Sequence, residues 1–385
     1  MGSGVAVVGI GWSGFARATP EVSYKELMFA AARSAYEDAG VDPRRDVDSF
    51  VCCSEDFLEG TSIFDEYVPD QLGAAQRPVQ TVSGDGLFGL ATAEMLLRSG
   101  VAQVVAVEAH SKASNVVTLG AIEAFAMDPV LNRPLSVSTL AVAGLEMSRF
   151  LEVTDNTEEQ CAEVARRNRE AALANPRAAY GSASADEEEP LYWPLRTLDV
   201  AEPADGCVVI VLANEERAKS LSGRPVSLLG TGWSSGTPTL ESRDWDRADS
   251  VERAGTMAIA AAGSSGADVD VAEVDDTYTY KELQHLEALG FAGRGTAGSF
   301  LANGVFERTS SGVRKQGPVV NPSGGSLGQG NLFEANGLAR VLECVQQLRG
   351  DAGQRQVEGA RVALAQSWRG VPTTSAAVAI FGEGA

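Results

Sequence analysis

Two tyrosines stand close together in the run Asp275-Asp276-Thr277-Tyr278-Thr279-Tyr280, where an apolar segment gives way to a helical pattern. A free tyrosine has a pKa of about 10, too high for a base at neutral pH. A helix N-terminus favours the phenolate and lowers that value, whereas Asp275 and Asp276 oppose the shift unless they are hydrogen-bonded elsewhere. Tyr278 equally suits a packing role, as the staple residue ahead of a Thr279-x-x-Glu282 capping box. A second chemical stretch runs from Val320 to Gly337 and holds five glycines in eighteen residues, among them Gly324, Gly325 and Gly330. Glycine at this density beside a helix start allows positive φ and close approach of the backbone to a ligand, with peptide N–H groups aimed at negative charge. Within it, the Asn331 amide can hold a developing oxyanion. Asn331 also suits a helix N-cap, with Glu334 three residues on.

The elements that must hold these residues alternate. Apolar strands are predicted at residues 5–10, 47–53, 79–83, 101–107 and 205–213, and again at 226–232, 269–274, 318–321, 362–368 and 376–381. Helices fall between them: a Ser23-x-x-Glu26 capping box opens one that Gly40 stops, Asp85 is placed to cap another over 87–99, and Thr157-x-x-Gln160 opens a third. The amphipathic run Leu338 to Leu348 follows the glycine stretch. Strands alternating with helices of this length imply βαβ units and a parallel-rich sheet. The order of elements divides the chain into residues 1–215, with an insertion over about 111–200, and residues 216–385. Two similar halves suggest an internal duplication.

The chain has 385 residues, 44% of them hydrophobic and 22% charged, which reads as globular. No run of eighteen apolar residues occurs, so no membrane-spanning helix is expected. Met-Gly-Ser-Gly-Val enters a strand directly, so no secretory signal is expected either. Five scattered cysteines, none in a Cys-x-x-Cys pair, point to free thiols in a reducing cytoplasm. Two histidines and these cysteines do not furnish a zinc site, and no metal or cofactor is expected. A formal net charge of −21 disfavours nucleic acid as a partner. The same charge opposes any anionic ligand unless local arginines or a partner protein supply positive charge.

Asn321-Pro322-x-Gly324-Gly325, followed by Gly330, Ala335 and Gly337, resembles the glycine-rich motif of the thiolase superfamily. Asp205-Gly206 resembles the Asp-Gly strand of that family. The run from Arg167 to Ala178 is similar to the insertion-domain helix of its sterol-carrier-protein-X members, and Val271 to Leu283 to their Glu-Val-His-Asp segment. The resemblance spans nearly the whole chain. It implies the thiolase fold: duplicated βαβαβαββ halves in a five-layer αβαβα sandwich carrying a loop-domain insertion.

The catalytic groups of that family are not matched. Its nucleophilic Cys reads within Ser83-Gly84-Asp85-Gly86, and its glycine-loop His reads Asn331. Its strand His reads Asp275, and residues 370–378 hold no Cys. Ser83 could serve as a nucleophile only with a nearby base, and His110 is the sole histidine of that half. Glu55-Asp56, after the second strand, either reaches the same cleft or is a solvated strand end. The combination is similar to the lipid-transfer-protein group of steroid side-chain-cleaving aldolases. The resemblance implies retro-aldol cleavage of a β-hydroxyacyl-CoA, with coenzyme A carried by the substrate. It implies Tyr278 or Tyr280 as base, Asn331 and glycine-loop N–H groups at the thioester oxygen, and Asp275 or Asp56 as further candidates. Also implied are a homodimer paired through residues 79–83 and an OB-fold/zinc-ribbon partner domain on a hydratase subunit. A degenerate acyltransferase using Ser83, or a non-catalytic CoA- or lipid-binding subunit, is the alternative.

Overall fold

The chain is seen in a computed structural model that describes residues 4–383 except 56, 57, 59–63, 184–188, 222, 238 and 371–373. Its strands are β1 (Val5–Ala16), β2 (Ser49–Cys53), β3 (Val79–Val82), β4 (Val104–Lys112), β5 (Pro190–Tyr192), β6 (Leu195–Arg196), β7 (Asp205–Asn214), β8 (Val226–Ser235), β9 (Val271–Glu273), β10 (Val319–Val320), β11 (Val362–Arg369) and β12 (Ser375–Glu383). The helices used below are α1 (Tyr24–Ala39), α2 (Gly86–Arg98), α3 (Leu119–Phe125), α4 (Thr139–Val153), α5 (Glu158–Ala172), α6 (Asp249–Ala262), α7 (Thr279–Ala288), α8 (Gly325–Gln329) and α9 (Asn336–Arg349). Among the described residues no helix is long and apolar enough to cross a membrane.

Ten strands form one sheet in the order β10-β9-β11-β12-β8-β1-β7-β4-β2-β3. Reading outward from the middle, each half repeats the same plan: its first strand, then its fifth, fourth, second and third. The pairings repeat as well. The three outer strands of each half are parallel, and the inner ones antiparallel. β1 and β8 join the halves through Val5–Val7 against Val226–Leu228. A mixed sheet therefore replaces the parallel-rich one expected from the alternation of strands and helices. The antiparallel members come from β7 and β12, each of which returns beside the first strand of its half.

Side-chain alternation along the strands sorts the layers. On β7, Val208, Ile210 and Leu212 enter the central core, whereas Cys207, Val209, Val211 and Ala213 face the layer that holds α1. On β12, Ala377, Ala379 and Phe381 enter that same central core, and Ala376, Val378 and Ile380 face α6 and α7. Leu87, Leu90, Leu338, Leu342 and Val345 fill the centre, so α2 and α9 are the middle layer between the two half-sheets. The result is the five-layer αβαβα sandwich of the thiolase fold.

This position explains α9. Its sequence reads as amphipathic, yet Asn336 through Val345 is buried throughout. The polar side chains are paired internally instead of solvated: Glu343 takes Arg177 at 2.8 Å and Arg355 at 3.0 Å. The caps at Ser23 and Thr157 form as capping boxes, and the Asp85 side chain accepts from Leu87 N.

The outer helices lie unusually close to the strands beneath them, in the same way in both halves. A Cβ at Gly11 would fall 2.1 Å from the Ala31 carbonyl oxygen on α1, and one at Gly232 would fall 2.2 Å from that of Ala254 on α6. Gly11→Ala should therefore destabilise the chain by about 1–3 kcal/mol, because helix backbone must move to admit the methyl. Urea denaturation checks this; an unchanged midpoint at unchanged slope would show that the helix gives way freely.

Candidate active site

Tyr278 has an extended backbone (φ −128°, ψ 144°) and is the residue from which α7 begins. The expected Thr279-x-x-Glu282 capping box does not form. The Thr279 hydroxyl donates to Asp199 at 2.7 Å. Glu282 instead accepts from Asn168 and Asn321, at 2.6 and 2.7 Å, and from Arg167. Distant partners outbid the local cap because both side chains are fully buried, where every polar atom must find a partner.

The two tyrosines stack with ring centroids 5.8 Å apart, and Trp368 closes edge-on against Tyr278 at 6.4 Å. They differ at the hydroxyl. Tyr280 is fully buried and donates to Glu146 at 2.8 Å. Among the described residues no group bonds the Tyr278 hydroxyl. Burial pushes both phenols above their ordinary value; the charges of Glu123 and Glu146 act next on Tyr278, and that of Glu146 on Tyr280. Glu123, on α3 of the insertion, is itself raised by burial and accepts from Thr139 at 2.7 Å.

Asn331 makes an Asx turn instead of the expected helix cap. Its Oδ1 accepts from Phe333 N at 3.1 Å and from Asn336 Nδ2 at 2.7 Å. Glu334 three residues on is buried and makes no box with it. Asn331 and Tyr278 lie at the two ends of one short segment: Val200 bridges to Tyr278 and Pro203 to Asn331. Three residue steps of extended chain span roughly 10 Å. The structure therefore brings these two to one short stretch of backbone, three residues apart.

The glycine loop adopts the positive φ anticipated for it, 97° at Gly324, 58° at Gly325 and 107° at Gly330. What lies at its helix start is a protein carboxylate. Ser326 N and Leu327 N donate to Asp276 at 2.6 and 3.1 Å, and a Cβ at Gly325 would fall 2.1 Å from Asp276 Oδ2. Asp276, pushed up to about 7 mainly by burial and then by Glu282, is the anion this loop holds. Gly324 admits Ala172 of α5, and Gly330 admits Ala204. The donor left at this end of the site is the Asn331 side-chain amide.

The aspartates that precede the tyrosines are held by Arg340 of α9. It pairs with Asp275 at 2.9 Å, reaches Asp276 at 3.6 Å and donates to Ser326 at 2.8 Å, all in the interior. Asp275 also accepts from Thr277 N at 3.1 Å, which ties it into the turn that aims Tyr278. Asp85 bridges the starts of the two central helices: Leu87 N of α2 and Gly337 N of α9 both donate to it at 2.8 Å. Ser83 is exposed at the end of β3. His110 is fully buried, with Nδ1 against Glu108 at 2.9 Å and its ring stacked on Tyr24 and Phe64. Asp56 lies outside the described residues; its neighbour Glu55 is bound by Arg369 at 2.6 and 2.9 Å.

Sequence reasoning did not reach Glu123, Arg340 and Arg369. Glu123 and Arg369 sit on segments with no motif, and Arg340 was hidden in an apparently amphipathic run. Next to Phe333 and Glu334 opens a cavity of about 480 Å³, faced with Val116, Val117, Leu119 and Ile122. All five cysteines are buried free thiols. Burial raises each of Cys52, Cys53, Cys161, Cys207 and Cys344. Iodoacetamide should accordingly leave the native chain unmodified and its activity intact, while the urea-unfolded chain takes up label at all five. Rapid native labelling that abolished activity would restore a thiol to the chemistry.

Residues 233–383 match the family model described as thiolase C-terminal domain-like. The chain is 30% identical, over 98% of its length and 99% of the relative's, to an acetyl-CoA acetyltransferase of Methanothermobacter thermautotrophicus. It is 28% identical to a 17-hydroxy-3-oxo-4-pregnene-20-carboxyl-CoA lyase of Mycobacterium tuberculosis, covering 96% of this chain and 97% of that one. Among solved structures, an Ltp2-ChsH2(DUF35) aldolase superposes with a TM-score of 0.81 at 25% identity, over 99% of this chain and 98% of that chain. With its repeated half-sheets, glycine loop and central helix pair, the chain belongs to the thiolase superfamily, in the group that includes sterol carrier protein 2.

Proposed function

We propose that the chain is a carbon–carbon lyase that splits a β-hydroxyacyl-CoA by a retro-aldol reaction, giving a ketone and a short acyl-CoA such as propionyl-CoA. The observation that carries this reading is the pairing of an unbonded Tyr278 hydroxyl with the Asn331 amide on a thiolase scaffold whose thiols are all buried. A retro-aldol step needs a proton acceptor and a holder for an oxyanion, but no nucleophile. The lyase and aldolase among its relatives support the same class of reaction.

Tyr278 enters the reaction as a neutral phenol, because burial holds its proton on. It takes the proton of the substrate's β-hydroxyl as a bound water carries its own towards Glu123, the carboxylate whose charge acts most strongly on it. The β-carbon–oxygen bond becomes a carbonyl and the bond between the α- and β-carbons breaks. The electron pair moves into the thioester as an enolate, whose oxygen the Asn331 amide holds. The proton passed to Glu123 returns by the same route to the α-carbon, which completes the short acyl-CoA and restores the starting protonation states. The apolar wall of Val116, Val117, Leu119, Ile122 and Phe333 suits a bulky hydrocarbon on the ketone side, and we assign it a steroid side-chain thioester. Incubation with such a thioester should release ketone and leave the intact protein mass unchanged. A covalent acyl adduct would instead support acyl transfer through Ser83, the chemistry named for the methanogen relative.

We further propose a two-fold homodimer formed along β3, with an OB-fold partner domain, a reading supported by the ChsH2(DUF35) component named in the aldolase structure. β3 is the last strand of its half, pairs on one side only with β2, and is half-buried along its whole length. An unpaired edge of this kind is a template for strand pairing. Light scattering should give twice the 40.3 kDa chain mass, and Thr81→Pro, which removes a ladder N–H, should shift it to monomer. A wild-type chain that stays monomeric at every concentration would rule the dimer out.

A further inference from the structure

A second cavity of about 350 Å³ is lined by Trp368 and does not include Tyr278 in its wall. A water occupies roughly 30 Å³ of liquid, so the space holds a polyatomic ligand with its waters. Its inner end is built from buried charge. Lys281 and Glu146 are within 1% of full burial and bond at 2.8 Å, and Arg243 lies 3.4 Å from Glu146. Lys281 also sits 4.4 Å over the Trp368 ring. Burial pulls the Lys281 ammonium down to about 8, with the Glu146 carboxylate opposing the shift.

The outer wall is the start of α6. Ala248 occupies its N-cap position and offers no side chain to the first N–H groups. Ser250, in the first turn and 95% buried, is part of the cavity wall, and its hydroxyl has no partner among the described residues. One turn on, Arg253 lines the same space and, among the described residues, forms no ion pair. Arg247 is shared with Asp249 and Glu252 at 3.3 and 2.8 Å. The cavity thus presents Arg243, Arg247, Arg253 and Lys281 against Glu146, Asp244 and Asp249. Asp244 is a weakened acid, raised by burial and by Asp246. In a chain of net charge −21, this is a positively biased recess. Hydroxyls of Ser234, Ser242 and Thr374 complete the wall.

We propose that this recess is an oxyanion site that takes a phosphoryl group, separate from the catalytic pair. Guanidinium groups, hydroxyls and an uncapped helix start are the donors that match a tetrahedral oxyanion with several acceptor oxygens. The site supplies the local positive charge that an anionic ligand of so acidic a chain requires.

Calorimetric titration of the full chain with sodium phosphate at constant ionic strength tests it. Saturable binding is expected, weakened roughly tenfold or more in Arg253→Gln, because a charge-assisted hydrogen bond is lost. Ser250→Ala should weaken it as well, and the exposed Arg33→Gln on α1 should not change it. Absence of saturable binding, or equal weakening by Arg33→Gln, overturns the proposal. Competition separates the sources of the phosphoryl group. Displacement of phosphate by coenzyme A but not by dephospho-coenzyme A assigns the site to the 3′-phosphate. Displacement by both assigns it to the diphosphate, and displacement by neither assigns it to free phosphate.

Discussion

Tyr278→Phe should slow cleavage by about 10²–10⁴-fold, with little change in KM, since the loss falls on proton transfer in the transition state. The ring contacts with Tyr280 and Trp368 survive the change, and the hydroxyl has no protein partner to strand, so the thermal midpoint should stay within a few degrees. Tyr280→Phe is the contrasting variant. It removes a buried donor from Glu146 and should cost about 1–3 kcal/mol of stability, with a smaller loss of rate. The pair of variants separates the roles that the sequence left open between the two tyrosines. Steady-state kinetics and urea denaturation on both read it out. If Tyr278→Phe cleaved at the wild-type rate while Tyr280→Phe did not, the assignment would reverse.

Arg340→Met should be the most damaging substitution for stability. The guanidinium is almost fully buried and lies against two carboxylates and the Ser326 hydroxyl. Removing one side of a buried ion pair leaves uncompensated charge in the interior and costs about 3–5 kcal/mol. Asp276 already sits at about 7, so losing Arg340 would push it further up and leave the carboxyl protonated at neutral pH. A neutral Asp276 would no longer hold the N–H groups of Ser326 and Leu327, and α8 should loosen with it. Adding Asp275→Asn to Arg340→Met should recover part of the loss, because it removes the orphaned charge. A double-mutant cycle measures that recovery. An Arg340→Met chain as stable as wild type would show that no uncompensated charge is left behind.

Local sequence determined a good deal. The caps at Ser23, Asp85 and Thr157 are legible because each closes within three residues. Positive φ in the glycine loop is legible because only glycine takes it cheaply. The strands are legible because a buried strand must be apolar over its length, and the thiolase scaffold follows from their order and from the glycine motif.

The tertiary structure decided what those groups face. Thr279 looks like a cap, yet its hydroxyl goes to Asp199, 80 residues away in sequence. The glycine loop looks poised for a ligand anion, yet a carboxylate of its own chain fills that place. Arg340 looks solvated on an amphipathic helix, yet α9 lies between two half-sheets and no face of it meets water over Asn336 to Val345. Tyr278 and Tyr280 are equivalent in sequence, and only the arrival of Glu146 from α4 at one of them makes them differ. A backbone conformation or a cap is set by neighbours within a few residues, which sequence displays. The partner of a buried polar group is set by whichever segment packing brings within about 3 Å, and that depends on the whole fold.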